Sequence, residues 1–184
     1  MKKFMLFPLV ALALATTALA RDEYQIMKVQ PQVIKTPDYT FNGDQRRTGR
    51  SEQWLEFEVE FQSLVPLTDE LTFKYFVYVA GKCLTGEVTH VNIPKGRDLH
   101  SVMYISPRAI SRLLQGKSIG PNDIQDVGIQ ILSKGQPVAM KSYKGQGDWW
   151  TKMEQVPGIL VPKSETPFAP LYWDRYEETK PAAH

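Results

Sequence analysis

Apolar and polar residues alternate along much of this chain with a period of two. In "WLEFEVEFQ", Leu55, Phe57, Val59 and Phe61 share one face, while Glu56, Glu58, Glu60 and Gln62 share the other. That pattern predicts a strand with one buried face and one wet face. "ELTFKYFVYVA" repeats it with Leu71, Phe73, Tyr75, Val77 and Val79, but Phe76 and Tyr78 make its second face partly apolar. Such a strand should be central, or covered by another segment. Weaker alternation predicts strands at 24–34, 87–93, 99–105, 127–132 and 138–143, which makes seven with 54–62 and 70–80. Turn signals separate them: "NGD", "PKG", and "SKGQ", whose Gly135 suits a hairpin.

One helix interrupts the strands. In "SPRAISRLLQG", Ser106 is an N-cap residue, Pro107 suits the first helical position, and Gly116 can end the helix. Ile110, Leu113 and Leu114 form a stripe that can cover an open end of the sheets. A short helix between the fifth and sixth of seven strands predicts an all-β fold: an immunoglobulin-like antiparallel β-sandwich over residues 21–144, without the usual cysteine pair.

After Tyr143 the pattern breaks. Pro157, Pro162, Pro167 and Pro170 punctuate a stretch that also carries Trp149, Trp150, Phe168, Tyr172, Trp173 and Tyr176. Proline removes backbone donors, so the segment is neither a helix nor a central strand. Disordered chains are poor in aromatics, whereas this one can bury enough surface to order itself. The expectation is an extended arm over 145–184 whose six aromatics are interaction residues. Trp173 and its neighbours should be pinned to a sheet face or a neighbouring subunit, with Phe76 and Tyr78 the surface most in need of cover.

Residues 1–20 read as a secretory signal peptide: Lys2 and Lys3, an apolar core from Phe4 to Leu14, and the small residues Ala18 and Ala20. The apolar core is too short to span a bilayer. Cleavage after Ala20 takes 22 basic against 20 acidic residues to parity. A mature chain with no net charge lacks the electrostatic footprint for nucleic acid. Arg46, Arg47 and Arg50 crowd one loop, which reads as a solvated surface. The expected location is the periplasm, the outer membrane surface or the medium, with no integral membrane span after cleavage.

Candidate chemistry is sparse. The sequence has no G-x-S-x-G elbow, H-E-x-x-H pair or phosphate-binding loop. His90 and His100 lie on separate predicted strands and could be neighbours, a thin basis for a metal site. Cys83 is the single cysteine, so no intrachain disulfide forms. In sortases and L,D-transpeptidases the histidine precedes the nucleophilic cysteine, whereas both of these follow it, and "GKCLTGE" matches neither motif. The reading is of a non-enzyme without cofactor or metal.

The signal ending "ALARDEYQ", the strand "QWLEFEVEF", the capped "SPRAISRLLQG" and the proline-aromatic tail together resemble a group of exported proteins. These come from mucin-layer gut bacteria and are encoded with type IV pilus-like machinery. The resemblance implies an immunoglobulin-like fold, a cell-envelope location, homo-oligomerisation and no catalysis, and it transfers no site residue. The expected function is protein–protein contact in an envelope or pilus-associated assembly, with other envelope or pilus proteins as further partners. The alternatives are a carbohydrate-binding module for mucin-type glycans, built on Trp149–Trp150 or Tyr172–Trp173, and an enzyme using Cys83.

Overall fold

The alternating stretches at 54–62 and 70–80 form one strand rather than two. A computed structural model describes residues 23–39, 51–117, 119–145 and 147–180. Among them lie β1 (Tyr24–Lys35), β2 (Gln53–Val79), β3 (Lys82–Ile105), β4 (Ile124–Ser133), β5 (Gln136–Ser142), β6 (Gln155–Pro157) and β7 (Leu160–Pro162). Helix α1 (Pro107–Leu113) joins β3 to β4. The signal segment, the "NGD" turn and Arg46, Arg47 and Arg50 lie outside the described residues.

β2 and β3 pair along almost their whole lengths and shift register together between Phe61 and Leu67. There both strands pass from one layer to the other, so "PKG" is not a free turn. Pro94 and Gly96 sit opposite Leu67 and Ser63 at this corner. One layer holds β1, the first half of β2, the second half of β3 and β7. The other holds β5, β4, the second half of β2, the first half of β3 and β6. The result is an all-β antiparallel sandwich, with β6 the one parallel neighbour.

Leu55, Phe57, Val59 and Phe61 meet Phe73, Tyr75, Val77 and Ile129 in one core. Each such side chain contributes roughly 1.5–3 kcal/mol when buried. α1 behaves as its caps predict: the Ala109 amide donates to Ser106 Oγ at 3.3 Å, and Ile110 is buried over the core. Gly116, at φ +81, follows the end of the helix. The β4–β5 turn places Lys134 (φ 50) and Gly135 (φ 76) in the left-handed region, as a tight hairpin requires. Ala80 and Gly81 turn β2 into β3 the same way.

The wet face predicted for 54–62 is not wet. Glu56 and Glu58 are buried, because the segment after β5 covers that face. Nor is the segment a simple extended arm: β6 and β7 add short edge strands to β3, but 163–176 is a succession of tight turns. Proline at 167 and 170 forbids continued strand pairing there.

Candidate interaction site

The segment from Lys144 onward is fastened to the outer faces of the sandwich at successive points. Its start is held by Asp126 on β4. That carboxylate accepts from the amides of Lys144 (2.8 Å) and Gly145 (2.9 Å) and from Ser142 Oγ (2.6 Å). Trp149 Nε1 donates to the same Ser142 Oγ at 3.2 Å. Trp150 then stacks on Phe76, with ring centroids 4.8 Å apart and planes 9° from parallel, and with Cys83 beneath. Trp149 packs against Tyr78 at 5.9 Å. The apolar second face of the 70–80 stretch is therefore covered, but by Trp149 and Trp150 rather than by Trp173.

The sheet is shaped for this cover. A β-carbon on Gly128 would lie 2.2 Å from the Trp150 ring, and one on Gly86 would lie 2.7 Å from Leu160. Glycine inside a strand marks a close approach of this kind, and that was the available signal in "DVGIQ".

The second fastening is on the other layer. Phe168 stacks on Tyr104 (5.1 Å, 10°) and meets Trp54 edge-on (5.6 Å, 87°). Arg175 Nη2 and Nε lie 2.7 and 2.8 Å from the same Glu58 oxygen, a pairing that raises the guanidinium pKa. His100 Nδ1 also lies 2.9 Å from Glu58, without the geometry of a hydrogen bond. Glu56 accepts from Gln32 Nε2. Burial pushes Tyr104 and Tyr176 well above the ordinary phenol range, with the Glu56 charge adding to it. Tyr176 also carries Lys163 over its ring at 5.4 Å.

Between these fastenings the chain turns outward. Tyr172 takes φ +51, a strained value for a bulky residue. It and Trp173 are 67 and 79 % exposed, against 2 % for Trp150 and 7 % for Phe168. Trp173 is not pinned to a sheet face of its own chain, where Phe168 has taken the Tyr104 surface. The six predicted aromatics thus divide. Trp149, Trp150, Phe168 and Tyr176 are anchors, and Tyr172 and Trp173 form an exposed tip. Beside the tip lies a groove of about 520 Å³, lined among others by Gln32, Lys35, Tyr104, Tyr172 and Arg175.

The predicted chemistry candidates are placed elsewhere. Cys83 is fully buried and burial raises its pKa, which suppresses the thiolate. Both ring nitrogens of His90 are engaged by the protein, with Ser101 Oγ at 2.7 Å and the Glu177 carbonyl at 3.1 Å. Among the described residues, no three His, Cys, Asp or Glu side chains converge as a metal cage would.

A family model matches residues 15–183. The chain belongs to that family. A crystal structure from Akkermansia muciniphila, a mucin-layer gut bacterium, superposes with a TM-score of 0.75 at 25 % identity. The match covers 88 % of this chain and 94 % of that one. No curated protein matches. Source and fold of this relative agree with the resemblance carried by the signal, the strand, the helix and the tail.

Proposed function

We propose that this protein is a non-enzymatic, exported component of the cell envelope that works by protein–protein contact through Tyr172 and Trp173. One observation carries the reading: two large aromatics stand exposed on a strained turn while four others in the same segment are consumed as anchors. Exposed Trp and Tyr on a rigid support are the residues that dominate protein interfaces. Phe168 on one side and the Arg175–Glu58 pair on the other hold the turn, so little ordering remains to oppose binding. The first partner is a second copy, in keeping with a mature chain of balanced charge, and pilus-associated envelope proteins are the wider class. Family membership and the A. muciniphila relative support the envelope assignment.

Light scattering on size-exclusion peaks tests this. Residues 21–184 should run above monomer mass, and a Tyr172→Ser/Trp173→Ser double variant should run as monomer with its melting temperature unchanged. A wild-type monomer, or an oligomer indifferent to the double substitution, rejects self-association through the tip. The carbohydrate reading narrows to the same pair, since Trp150 is sealed against Phe76. Quenching of Trp173 fluorescence by a glycan would favour it over protein contact.

A further inference from the structure

The last described residues do something separate from the tip. Residues 177–180 lie along β3 and complete its edge. The Val91 amide donates to the Glu178 carbonyl at 2.9 Å, and the Lys180 amide to the Thr89 carbonyl at 2.8 Å. The Glu177 amide reaches the His100 carbonyl at 3.3 Å, and Thr179 pairs antiparallel with His90.

His90 ties this segment to the core through a directed chain of hydrogen bonds. Tyr75 OH donates to Ser101 Oγ at 2.7 Å, and Ser101 Oγ lies 2.7 Å from His90 Nε2. With Ser101 donating to Nε2, the ring proton sits on Nδ1 and is donated to the Glu177 carbonyl. Every donor in the chain has an acceptor only while the imidazole is neutral. A second ring proton would sit on Nε2 and face a hydroxyl that then has no acceptor for its own hydrogen. It would also place a charge on a ring buried inside the sandwich.

We propose that residues 177–180 are an acid-released latch on the edge of β3, with His90 as its sensor. The core side of the ring cannot yield, because Phe73 and Tyr75 are fully buried. The latch side can: Glu178, Thr179 and Lys180 are exposed, and a cavity of about 300 Å³ opens along it. Lifting the latch lets water reach the imidazolium.

The groups facing the ring act in the same direction or are neutral. Tyr75 from β2 stays protonated throughout, its pKa raised by burial. Glu177 on the latch is pushed up by burial, so acid neutralises it before an ordinary carboxylate. Glu178 accepts from Asn92 at 3.1 Å, and Lys180 pairs with Glu70 at 2.6 Å on the surface. Lys163, across the cavity, adds positive charge that disfavours a second cation. Burial holds the His90 pKa at about 4 in the latched state, against about 6.5 when hydrated. Release uncovers Thr89 and Val91, whose backbone groups can then pair with a strand of another chain.

Hydrogen–deuterium exchange of residues 21–184 at pH 7 and pH 5, corrected for intrinsic rates, is the test. The Val91 and Lys180 amides should lose about 20-fold in protection, while amides at 55–61 keep theirs. Equal protection at both pH values overturns the latch, as does loss spread evenly over the sandwich. His90→Asn places an amide N–H at the Nδ1 position and cannot titrate, so it should abolish the effect; persistence of the effect moves the sensor elsewhere. Should that variant fail to fold, the His90 ring signals of the wild type, followed by NMR, decide. They must titrate in step with the Val91 amide, and independence of the two ends the proposal.

Discussion

Gly128 shows how a single missing carbon organises this surface. The Trp150 ring occupies the space a side chain would take, flat against Phe76 and over Cys83. Gly128→Val should evict the indole, red-shift the tryptophan emission and open Cys83 to a thiol reagent. The expected cost is about 2–4 kcal/mol, as for other losses of a buried aromatic contact. Cys83→Ser is the mild counterpart, costing under about 1.5 kcal/mol and leaving oligomeric mass unchanged. Urea midpoints measure both. His90 adds a pH term of definite sign. Its folded pKa of about 4 lies below the unfolded value, so above about pH 6.5 it imposes no penalty. As pH falls from there to about 4, the unfolded chain gains the proton first and stability drops by about 3 kcal/mol in all. Subtracting the pH profile of His90→Asn from that of the wild type isolates this term.

At the scale of elements, the edges of β3 and β1 are guarded differently. Three short pieces of the C-terminal segment cover β3: β6 at 83–85, residues 177–180 at 89–91, and β7 at 103–105. Leu160 from these pieces belongs to the main core cluster, and the half-buried Val156 packs against it. Truncation after Tyr143 should therefore abolish cooperative unfolding or lower the melting temperature by well over 10 °C; calorimetry reads this directly. A truncated protein with an unchanged transition would contradict the packing described. β1 is guarded by one lysine from β5: Lys141 Nζ donates to the carbonyls of Met27 (2.6 Å) and Ile26 (3.3 Å), where β1 shifts register. Lys141→Val leaves those carbonyls open beside the exposed Met27 and Met140, and concentration-dependent aggregation is the expected outcome by light scattering.

For the whole molecule, what could be read in advance follows from the range of each interaction. Alternation, caps and turn residues are local, so the class, the helix and the "SKGQ" hairpin were legible. The corner at 61–67 was not, since a strand that bends through two layers has the same alternation as two strands with a loop between them. The burial of Glu56 and Glu58 escaped for a related reason. Their partners, Gln32 and Arg175, are far away in sequence, and nothing in "EFEVE" signals them. Among the aromatics, composition identified a segment able to dock. Only packing separated Trp150, which has Gly128 beneath it, from Trp173, which has no seat.

The cover of β3 is also a matter of time. Synthesis runs from the N-terminus, so the Ala80–Gly81 hairpin can close long before any of its guards exists. Thr179 lies far downstream of that hairpin, and until it docks the middle of β3 has no neighbour on that side. The sandwich thus passes through an interval in which its longest hairpin is formed and one flank is bare. Residues 177–180 act as a closing step, so a chain stopped short of 177 would stay permanently in that interval, available for pairing with its neighbours.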